Sequence, residues 1–332
     1  MRYWTTDIQR SRLQTAAIRF SCLAAILCAS LSLLEECLNK RMLEQLSSRG
    51  RWLDCPSGQI FYKEAGTNPG LVFFLESGAG GTALELWNLA APLAQFGTVI
   101  AYDRAGHGRS QRDRLGVTGA AIAADAKCLL TARAKNASIV AIGYSLGGKT
   151  VLDLHRRNPE LISALVLLDP SFKHVSKRLG SKDSFVQKVK DATSPTRMAL
   201  RASFAIPRLR FYLEKMLDST VDPEHEILTS RKHILMSENL MRNEWPGIID
   251  AIDSNSSLGT LPLLVLSTVE HEYVAPIAAE ESGENWDTLA ALSKVGRHQI
   301  LEGVSHTNIQ NAACSDVIAS AILKHLHQTM RL

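Results

Sequence analysis

The sequence predicts an α/β protein with a mostly parallel sheet and helices on both faces of it. Short apolar runs, of the kind found in buried parallel strands, alternate with longer stretches of helical periodicity. A helix-like region rich in lysine and arginine interrupts this alternation, which indicates an insertion between two strands. The predicted strands are residues 71–75, 99–102, 138–142, 164–168, 263–266 and 297–301.

The chain opens with a segment, residues 1–50, that precedes the predicted sheet. Four arginines stand ahead of an uncharged run over 20–34: Arg2, Arg10, Arg12 and Arg19. Basic residues before an apolar run are typical of a signal peptide or a short membrane anchor, whereas the helical spacing of later leucines suits a packed amphipathic helix. We expect an exported or membrane-anchored protein in the first case, with membrane association through this segment, and a cytoplasmic one in the second.

Two glycine-containing segments follow the first two predicted strands, where the chain leaves the sheet. The sequence E-S-G-A-G-G occupies residues 76–81, and D-R-A-G-H-G-R-S occupies residues 103–110. Glycine permits a tight backbone path close to a neighbouring segment or to a ligand.

The most informative motif is G-Y-S-L-G at residues 143–147, directly after the predicted strand at 138–142. A serine hydroxyl is a poor nucleophile unless a sharp turn presents it, and G-x-S-x-G is the spacing that permits such a strand-to-helix turn. Residues 149–157 continue with a helical pattern that ends at Asn158-Pro159. Ser145 is therefore the candidate nucleophile.

Two residues further along the chain are candidates to complete a catalytic set with Ser145. Asp169 follows the strand at 164–168, and His306 lies in a G-V-S-H loop before a predicted final helix over 316–327. The chain order is thus nucleophile, acid, base, which is the order found where such a turn presents the serine.

Together these blocks resemble the α/β-hydrolases, in particular an esterase and lipase-like branch, from about Arg51 to the C-terminus. The resemblance implies an α/β-hydrolase core at residues 51–171 and 260–332, with a helical cap inserted at 172–259. It also implies a serine hydrolase that cleaves a carboxylic ester or related acyl compound through an acyl-enzyme on Ser145. It implies neither cofactor nor metal, and the expected partner is a small-molecule acyl substrate.

The resemblance further assigns roles to individual residues. His306 is the expected base, although Ser305 stands where relatives usually have glycine. The backbone N–H groups of Ala79 and Leu146 would form the oxyanion hole. The 103–110 segment resembles a structural turn that holds the neighbouring loop near the nucleophile.

The acid is the ambiguous member of the set. Many relatives carry it after the strand that precedes the histidine, where this chain has Glu270 and Glu272 but no aspartate. Other relatives carry it one strand earlier, where this chain has Asp169. We favour Asp169, with Glu272 and then Glu270 as alternatives and Asp287 as a remote one.

Ser145 argues against two classes of hydrolase that share this fold, the dehalogenases and the epoxide hydrolases, because both use aspartate at the same turn. Aminopeptidases, carbon–carbon bond hydrolases and perhydrolases keep the serine and remain open. A membrane-tethered binding protein with the same fold and a decayed triad is the alternative outside catalysis.

Composition limits the remaining classes of function. A net charge of +4 over 332 residues is too small to indicate nucleic-acid binding. The six cysteines follow no framework spacing. We expect Cys128 and Cys314 to be buried free thiols, and a Cys37–Cys55 disulfide only in an exported protein.

Overall fold

A computed structural model describes residues 49–111, 118–171, 206–217, 226–228, 230–240, 256–268 and 285–330, with scattered positions between 19 and 44. Much of the predicted N-terminal segment and of the predicted cap therefore lies outside the described residues. None of the helices in the described ranges combines the length and the apolar character needed to cross a membrane.

The described residues contain eight strands, all in one sheet: β1 (Arg51–Cys55), β2 (Gly58–Ala65), β3 (Leu71–Glu76), β4 (Thr98–Tyr102), β5 (Ser138–Tyr144), β6 (Ala164–Leu168), β7 (Leu263–Thr268) and β8 (Arg297–Leu301). Their spatial order is β1-β2-β4-β3-β5-β6-β7-β8. β2 pairs antiparallel with β1 and with β4, and the other five neighbouring pairs are parallel. The predicted mostly parallel sheet is confirmed.

Seven α-helices lie in the described ranges: α1 (Ala90–Leu93), α2 (Gly119–Arg133), α3 (Leu146–Arg157), α4 (Ile206–Leu217), α5 (Arg231–Asn239), α6 (Trp286–Ala290) and α7 (Ala312–Met330). Buried residues of α2, α3 and α6 pack in one hydrophobic cluster, and those of α1 and α7 pack in another. The two clusters lie on opposite faces of the sheet, so the predicted helices on both faces are also confirmed.

The apolar runs of the sequence form the central strands because both of their faces are covered. Successive side chains of a strand point to opposite faces. In β3, accordingly, Val72 and Phe74 belong to the cluster with α2 and α3, whereas Phe73 and Leu75 belong to the cluster with α1 and α7. All six residues of β3 are buried.

The hairpin of β1 and β2 at one edge of the sheet was not predicted from the sequence. β1 is mostly exposed and mixes charged with apolar residues, so it contains no apolar run. Two helices are longer than predicted. α3 begins at Leu146 instead of residue 149, and the final helix runs over Ala312–Met330 instead of 316–327.

Gly147 fixes how closely α3 approaches the end of β3. A Cβ atom at this position would lie 2.3 Å from the Glu76 carbonyl oxygen and 2.5 Å from the Ser77 carbonyl oxygen. Gly143 meets a similar constraint, since its Cβ would lie 2.2 Å from Gly147 O. The obstacles are backbone atoms, which move only if a strand or helix moves, so the turn between β5 and α3 admits no side chain at either glycine.

Replacing Gly147 with alanine should lower the free energy of unfolding by about 3 kcal/mol, because α3 or β3 must shift to admit the methyl group. Gly70→Ala is the matched control, since its Cβ would meet nothing closer than Asn68 Oδ1 at 3.4 Å. Chemical denaturation followed by circular dichroism measures both variants. Equal stability of the two variants would contradict the close approach.

His325 is a buried histidine of α7, with 3% of its surface exposed. Neither of its ring nitrogens has a hydrogen-bond partner among the described residues. Burial, and secondarily the nearby Arg297 charge, lowers the pKa of His325 to about 4. The ring is therefore neutral in the folded protein at pH 7 and gains a proton more readily after unfolding.

This difference makes the free energy of unfolding depend on pH. The unfolded histidine binds a proton below about pH 6.5, whereas folded His325 does so only near pH 4, so the free energy of unfolding should fall by about 3 kcal/mol across that window as pH drops. His325→Leu should remove this part of the loss, and His327→Leu, at an exposed position of the same helix, should retain it. Urea denaturation at several pH values measures the difference, and identical pH slopes in the two variants would refute it.

Candidate active site

Ser145 lies at the turn between β5 and α3, with φ 53° and ψ −116°. Residues other than glycine rarely adopt a positive φ, so the turn holds the serine in a strained conformation. Its N–H donates to Leu168 O at 3.0 Å, and its carbonyl oxygen accepts from the N–H groups of Gly148 and Ser171 at 3.1 and 3.2 Å. The Ser145 hydroxyl lies 3.2 Å from the Ser171 hydroxyl.

Asp169 and His306 form a short hydrogen bond, with 2.5 Å between Asp169 Oδ2 and His306 Nδ1. Asp169 is fully buried. Its carboxylate also accepts from the backbone N–H and the hydroxyl of Thr268, each at 3.2 Å. The fixed carboxylate can hold the imidazole in one orientation, with the proton on Nδ1 and the basic lone pair on Nε2.

Tyr144 supports the loop that carries His306. Its hydroxyl donates to the His306 carbonyl oxygen at 2.6 Å, and the two ring centroids lie 4.9 Å apart. Burial raises the pKa of Tyr144, and the Glu85 and Asp169 carboxylates add to that rise, so the phenol stays protonated as a donor. Because Tyr144 directly precedes Ser145, the same strand end places the serine and supports the histidine.

The loop after β3, residues 77–81, is called the glycine loop below. Arg104 binds two of its carbonyl oxygens: Nη1–H donates to Gly78 O at 2.6 Å, and Nη2–H donates to Ser77 O. In a trans peptide, the C=O of Gly78 and the N–H of Ala79 point in opposite directions. Arg104 therefore turns the Ala79 N–H away from itself.

Leu146 is the first residue of α3. The first N–H groups of a helix have no carbonyl partner within the helix. Among the described hydrogen bonds, Gly148 N–H donates back to Ser145 O at 3.1 Å, and the Leu146 N–H has no such acceptor. It is a backbone donor directly beside Ser145.

Two acidic residues, buried Glu76 and half-buried Glu85, hold Arg104 and the glycine loop in place. The Arg104 guanidinium pairs with the Glu76 carboxylate, and each side chain is 1% exposed. Tyr102 donates its hydroxyl to Glu76 at 2.6 Å. Glu85 accepts the Gly78 N–H at 2.6 Å. Burial raises the pKa of Glu85, although this bond and the Arg104 charge oppose the rise.

The 103–110 turn is bonded to the segment that follows the glycine loop. Asp103 accepts from the Ala83 N–H at 2.7 Å, and from the backbone N–H and Nε–H of Arg109 at 2.8 and 3.0 Å. Asp103 and Arg109 are both buried. His107 of the same turn is fully buried, with Nδ1 3.2 Å from Ala105 O.

Helix α5 contacts the 103–110 turn and the glycine loop at once. His233 Nδ1 accepts the Gly108 N–H at 3.2 Å, and the Ser237 hydroxyl donates to Gly80 O at 3.4 Å. A cavity of about 170 Å³ lies between the glycine loop, His233 and Gln310, and Ala79 is one of its lining residues. Helix α5 therefore forms one wall of the space beside Ala79.

A second serine, histidine and aspartate are hydrogen-bonded in series at the edge of the sheet. Ser267 Oγ lies 2.7 Å from His298 Nε2, and His298 Nδ1 lies 2.8 Å from Asp287 Oδ1. The Asp287 side chain is 82% exposed, and Ser267 is a buried residue within the regular strand β7. This hydrogen-bonded series has the serine–histidine–aspartate order of a triad, but Ser267 does not lie at a strained turn like the one that presents Ser145.

The structure places the predicted site residues as follows. Ser145 and Asp169 follow the adjacent strands β5 and β6, and His306 follows β8 and reaches Asp169. Asp287 contacts His298, not His306. The alternative acids Glu270 and Glu272 lie outside the described residues. In the part of the chain that is described, no cluster of His, Cys, Asp or Glu is suited to hold a metal ion.

Sequence reasoning missed the supporting residues Glu76, Arg104 and Thr268. A charged residue at the end of an apolar strand was the available signal for Glu76, since a carboxylate there is either exposed or paired. Arg104 stands inside the D-R-A-G-H-G block, where an arginine is usually expected to reach solvent. Nothing in the sequence marked Thr268.

Comparison with known proteins identifies the family and the fold of the chain. The model of the serine aminopeptidase S33 family matches residues 67–307. The uncharacterized hydrolase YraK of Bacillus subtilis is 31% identical over 119 residues, which are 36% of this chain and 43% of YraK. The aligned part of the chain thus spans less than half the length of that relative.

Three solved structures share the fold at low sequence identity. Epoxide hydrolase VrEH1 from Vigna radiata has a TM-score of 0.59 and 17% identity, covering 83% of this chain and 98% of its own. A thermophilic esterase from Thermogutta terrifontis has a TM-score of 0.56 and 18% identity, covering 84% and 99%. The enol-lactonase from Burkholderia xenovorans LB400 has a TM-score of 0.55 and 19% identity, covering 83% and 99%.

These structures establish the architecture, and the family match spans most of the chain, from before the glycine loop to just beyond His306. The chain therefore belongs to the serine aminopeptidase S33 family of the α/β-hydrolase superfamily.

Proposed function

We propose that this hydrolase cleaves a carboxylic ester or related acyl compound through an acyl-enzyme on Ser145. His306 would act as the base and Asp169 as the residue that orients it. The observation that carries the proposal is the 2.5 Å bond between His306 Nδ1 and the fully buried Asp169 carboxylate. A carboxylate desolvated to this degree is costly, and its pairing with an imidazole offsets that cost.

The first half of the reaction forms the acyl-enzyme. Ser145 Oγ attacks the acyl carbonyl carbon while His306 Nε2 takes the hydroxyl proton, and Asp169 stabilises the resulting imidazolium. His306 then gives that proton to the leaving alcohol. The Ser145 hydroxyl contacts Ser171, so attack requires it to turn toward His306, and catalytic hydrogen bonds often tighten in this way only when substrate binds.

Negative charge on the carbonyl oxygen needs donors fixed in advance. We assign this role to the backbone N–H groups of Ala79 and Leu146. The assignment is supported by Arg104, which holds the Gly78 carbonyl at 2.6 Å and so orients the next N–H, and by the position of Leu146 at the start of α3. In the second half, His306 takes a proton from water, the resulting hydroxide attacks the acyl carbon, and His306 returns the proton to Ser145 Oγ as the acyl–oxygen bond breaks and the acid leaves.

An aminopeptidase activity at the same serine is the second candidate, and the family match favours it. Ester and amide cleavage share the nucleophile, the base and the oxyanion donors, and differ in the leaving group that His306 must protonate. Assays with ester and amide substrates therefore distinguish the two candidate activities, whereas variants of Ser145 do not.

The full chain should hydrolyse p-nitrophenyl esters of graded acyl length and react with a fluorophosphonate probe. Ser145→Ala should abolish labelling and lower kcat by about a thousandfold or more, because no other group forms the acyl-enzyme. Ser267→Ala is the matched control from the second serine–histidine–aspartate series and should keep both properties. Aminoacyl p-nitroanilides assayed beside the esters distinguish the aminopeptidase.

Turnover that survives in Ser145→Ala would overturn the assignment of the nucleophile. Folded wild-type protein that neither turns over any of these substrates nor takes up the probe would instead support the binding-protein alternative.

Asp169→Asn should lower kcat by about a thousandfold with little change in KM, because the amide N–H forces the wrong imidazole tautomer. Glu270→Gln, Glu272→Gln and Asp287→Asn should each stay within about threefold of wild type. Steady-state kinetics and a melting curve for each variant separate lost catalysis from lost folding. If Glu272→Gln instead lost most of its kcat and Asp169→Asn remained active, Glu272 would be the residue that orients His306.

A further inference from the structure

Cys55 and Cys128 bring their thiols together although they are 73 positions apart. Their Sγ atoms lie 2.6 Å from each other. A disulfide bond is about 2.05 Å long, so only about half an ångström separates the contact from a covalent bond. Cys55 is the last residue of β1, and Cys128 lies in α2.

The contact follows from how the β1–β2 hairpin is fastened to α2. The Ser57 N–H, in the turn of the hairpin, donates to Asp125 Oδ1 at 3.0 Å. Cys55 Sγ lies 3.8 Å from Asp125 O, and Cys128 Sγ lies 3.5 Å from Asp54 O. Each sulfur thus also touches the backbone of the other cysteine's element, so the approach depends on several contacts and not on one rotamer.

We propose that Cys55 and Cys128 form an intramolecular disulfide in the folded protein, without rearrangement of the fold. This pairing replaces the Cys37–Cys55 bond considered from the sequence: Cys37 is exposed in the N-terminal segment, and the neighbour of Cys55 is Cys128. Cys128 was expected to be a buried free thiol: it is a free cysteine but half-buried, and it contacts a second cysteine.

The oxidant is a disulfide of a small thiol or of a thiol oxidoreductase. One cysteine thiolate attacks a sulfur of that disulfide, forms a mixed disulfide and releases one thiolate. The second cysteine then displaces the other thiolate and closes the Cys55–Cys128 bond. Two protein thiols lose two electrons and two protons in total, and the oxidant is reduced to two thiols.

The rate of this exchange depends on the pKa of the Cys55 thiol. Burial raises the pKa of the Cys55 thiol, and the Cys128 sulfur and the Asp125 and Asp54 carboxylates raise it further. Because the thiolate is the reacting form, closure should be slow at neutral pH and faster in mildly alkaline buffer.

Cys314 provides an internal control. It is buried, and its Sγ lies 3.5 Å from Asn308 Oδ1. It has no second sulfur within contact among the described residues. A thiol in this environment should remain reduced under conditions that oxidise the pair.

The test incubates the reduced full chain in glutathione buffers of graded oxidised fraction, followed by acid quench, alkylation and non-reducing peptide mapping. The expected result is a peptide pair joined through Cys55 and Cys128, with Cys314 alkylated. The equilibrium constant should be at least about a hundredfold larger in native protein than in urea, because the fold holds the sulfurs together. In the Cys55→Ser variant, Cys128 has no cysteine partner and should be recovered as a glutathione adduct.

The proposal fails if Cys55 and Cys128 of the wild-type protein carry separate glutathione adducts. It also fails if both cysteines are still reduced, and therefore recovered as alkylated residues, in every glutathione buffer. It also fails if native and urea-unfolded chains show the same equilibrium constant. The melting temperature gives an independent readout: closing a loop of this length should raise Tm by on the order of 10 °C, with no change in Cys55→Ser. An oxidised protein that melts at or below the temperature of the reduced one would show that the bond distorts the fold.

Discussion

The buried ion pair of Arg104 and Glu76 is the interaction on which the arrangement around Ser145 depends. It joins the ends of β3 and β4, and the same guanidinium holds the carbonyl oxygens of Ser77 and Gly78. Taking both charges out of water is expensive, so loss of either partner would leave the other uncompensated, at a cost of about 3–5 kcal/mol. The pair therefore makes the path of the glycine loop a property of the folded sheet and not of the loop alone.

Three buried carboxylates stand at the ends of the parallel strands β3, β4 and β6, and each has different hydrogen-bond partners. Glu76 is neutralised by an arginine, Asp103 is bonded to backbone N–H groups and Arg109, and Asp169 faces His306. Glu76 and Asp103 are each paired with an arginine, which keeps its charge at any physiological pH. Of the three carboxylates, only Asp169 is bonded to an imidazole, as its proposed role in proton transfer requires.

Local sequence patterns predicted the central strands and the strand-to-helix turn at Ser145. The G-x-S-x-G motif marks this turn locally, because a Cβ atom at Gly143 would meet the backbone of Gly147 four residues later. The β1–β2 hairpin escaped prediction because an exposed edge strand needs no apolar run.

The sequence did not determine that the Asp169 carboxylate lies beside His306, since this depends on where the chain turns after β6. Asp169 has a positive φ of 46°, and its N–H donates to Leu266 O of β7. Those tertiary contacts aim the carboxylate, and no local pattern encodes them. Arg104 was missed for a related reason: a basic residue after a strand is normally solvated, and only the fold supplies the buried Glu76 that retains it.

The bond between Asp169 and His306 spans 137 positions of the chain, which has a consequence for synthesis on the ribosome. β3 to β6 can pair while the later part of the chain is still being made, and at that stage the Asp169 carboxylate lacks its imidazole. Chains fold from the N-terminus as they emerge, so this charge must stay hydrated until β7 and β8 dock. The proposed site is thus assembled in the last stage of folding, and a nascent chain that contains only β1 to β6 carries Ser145 without the proposed base, His306.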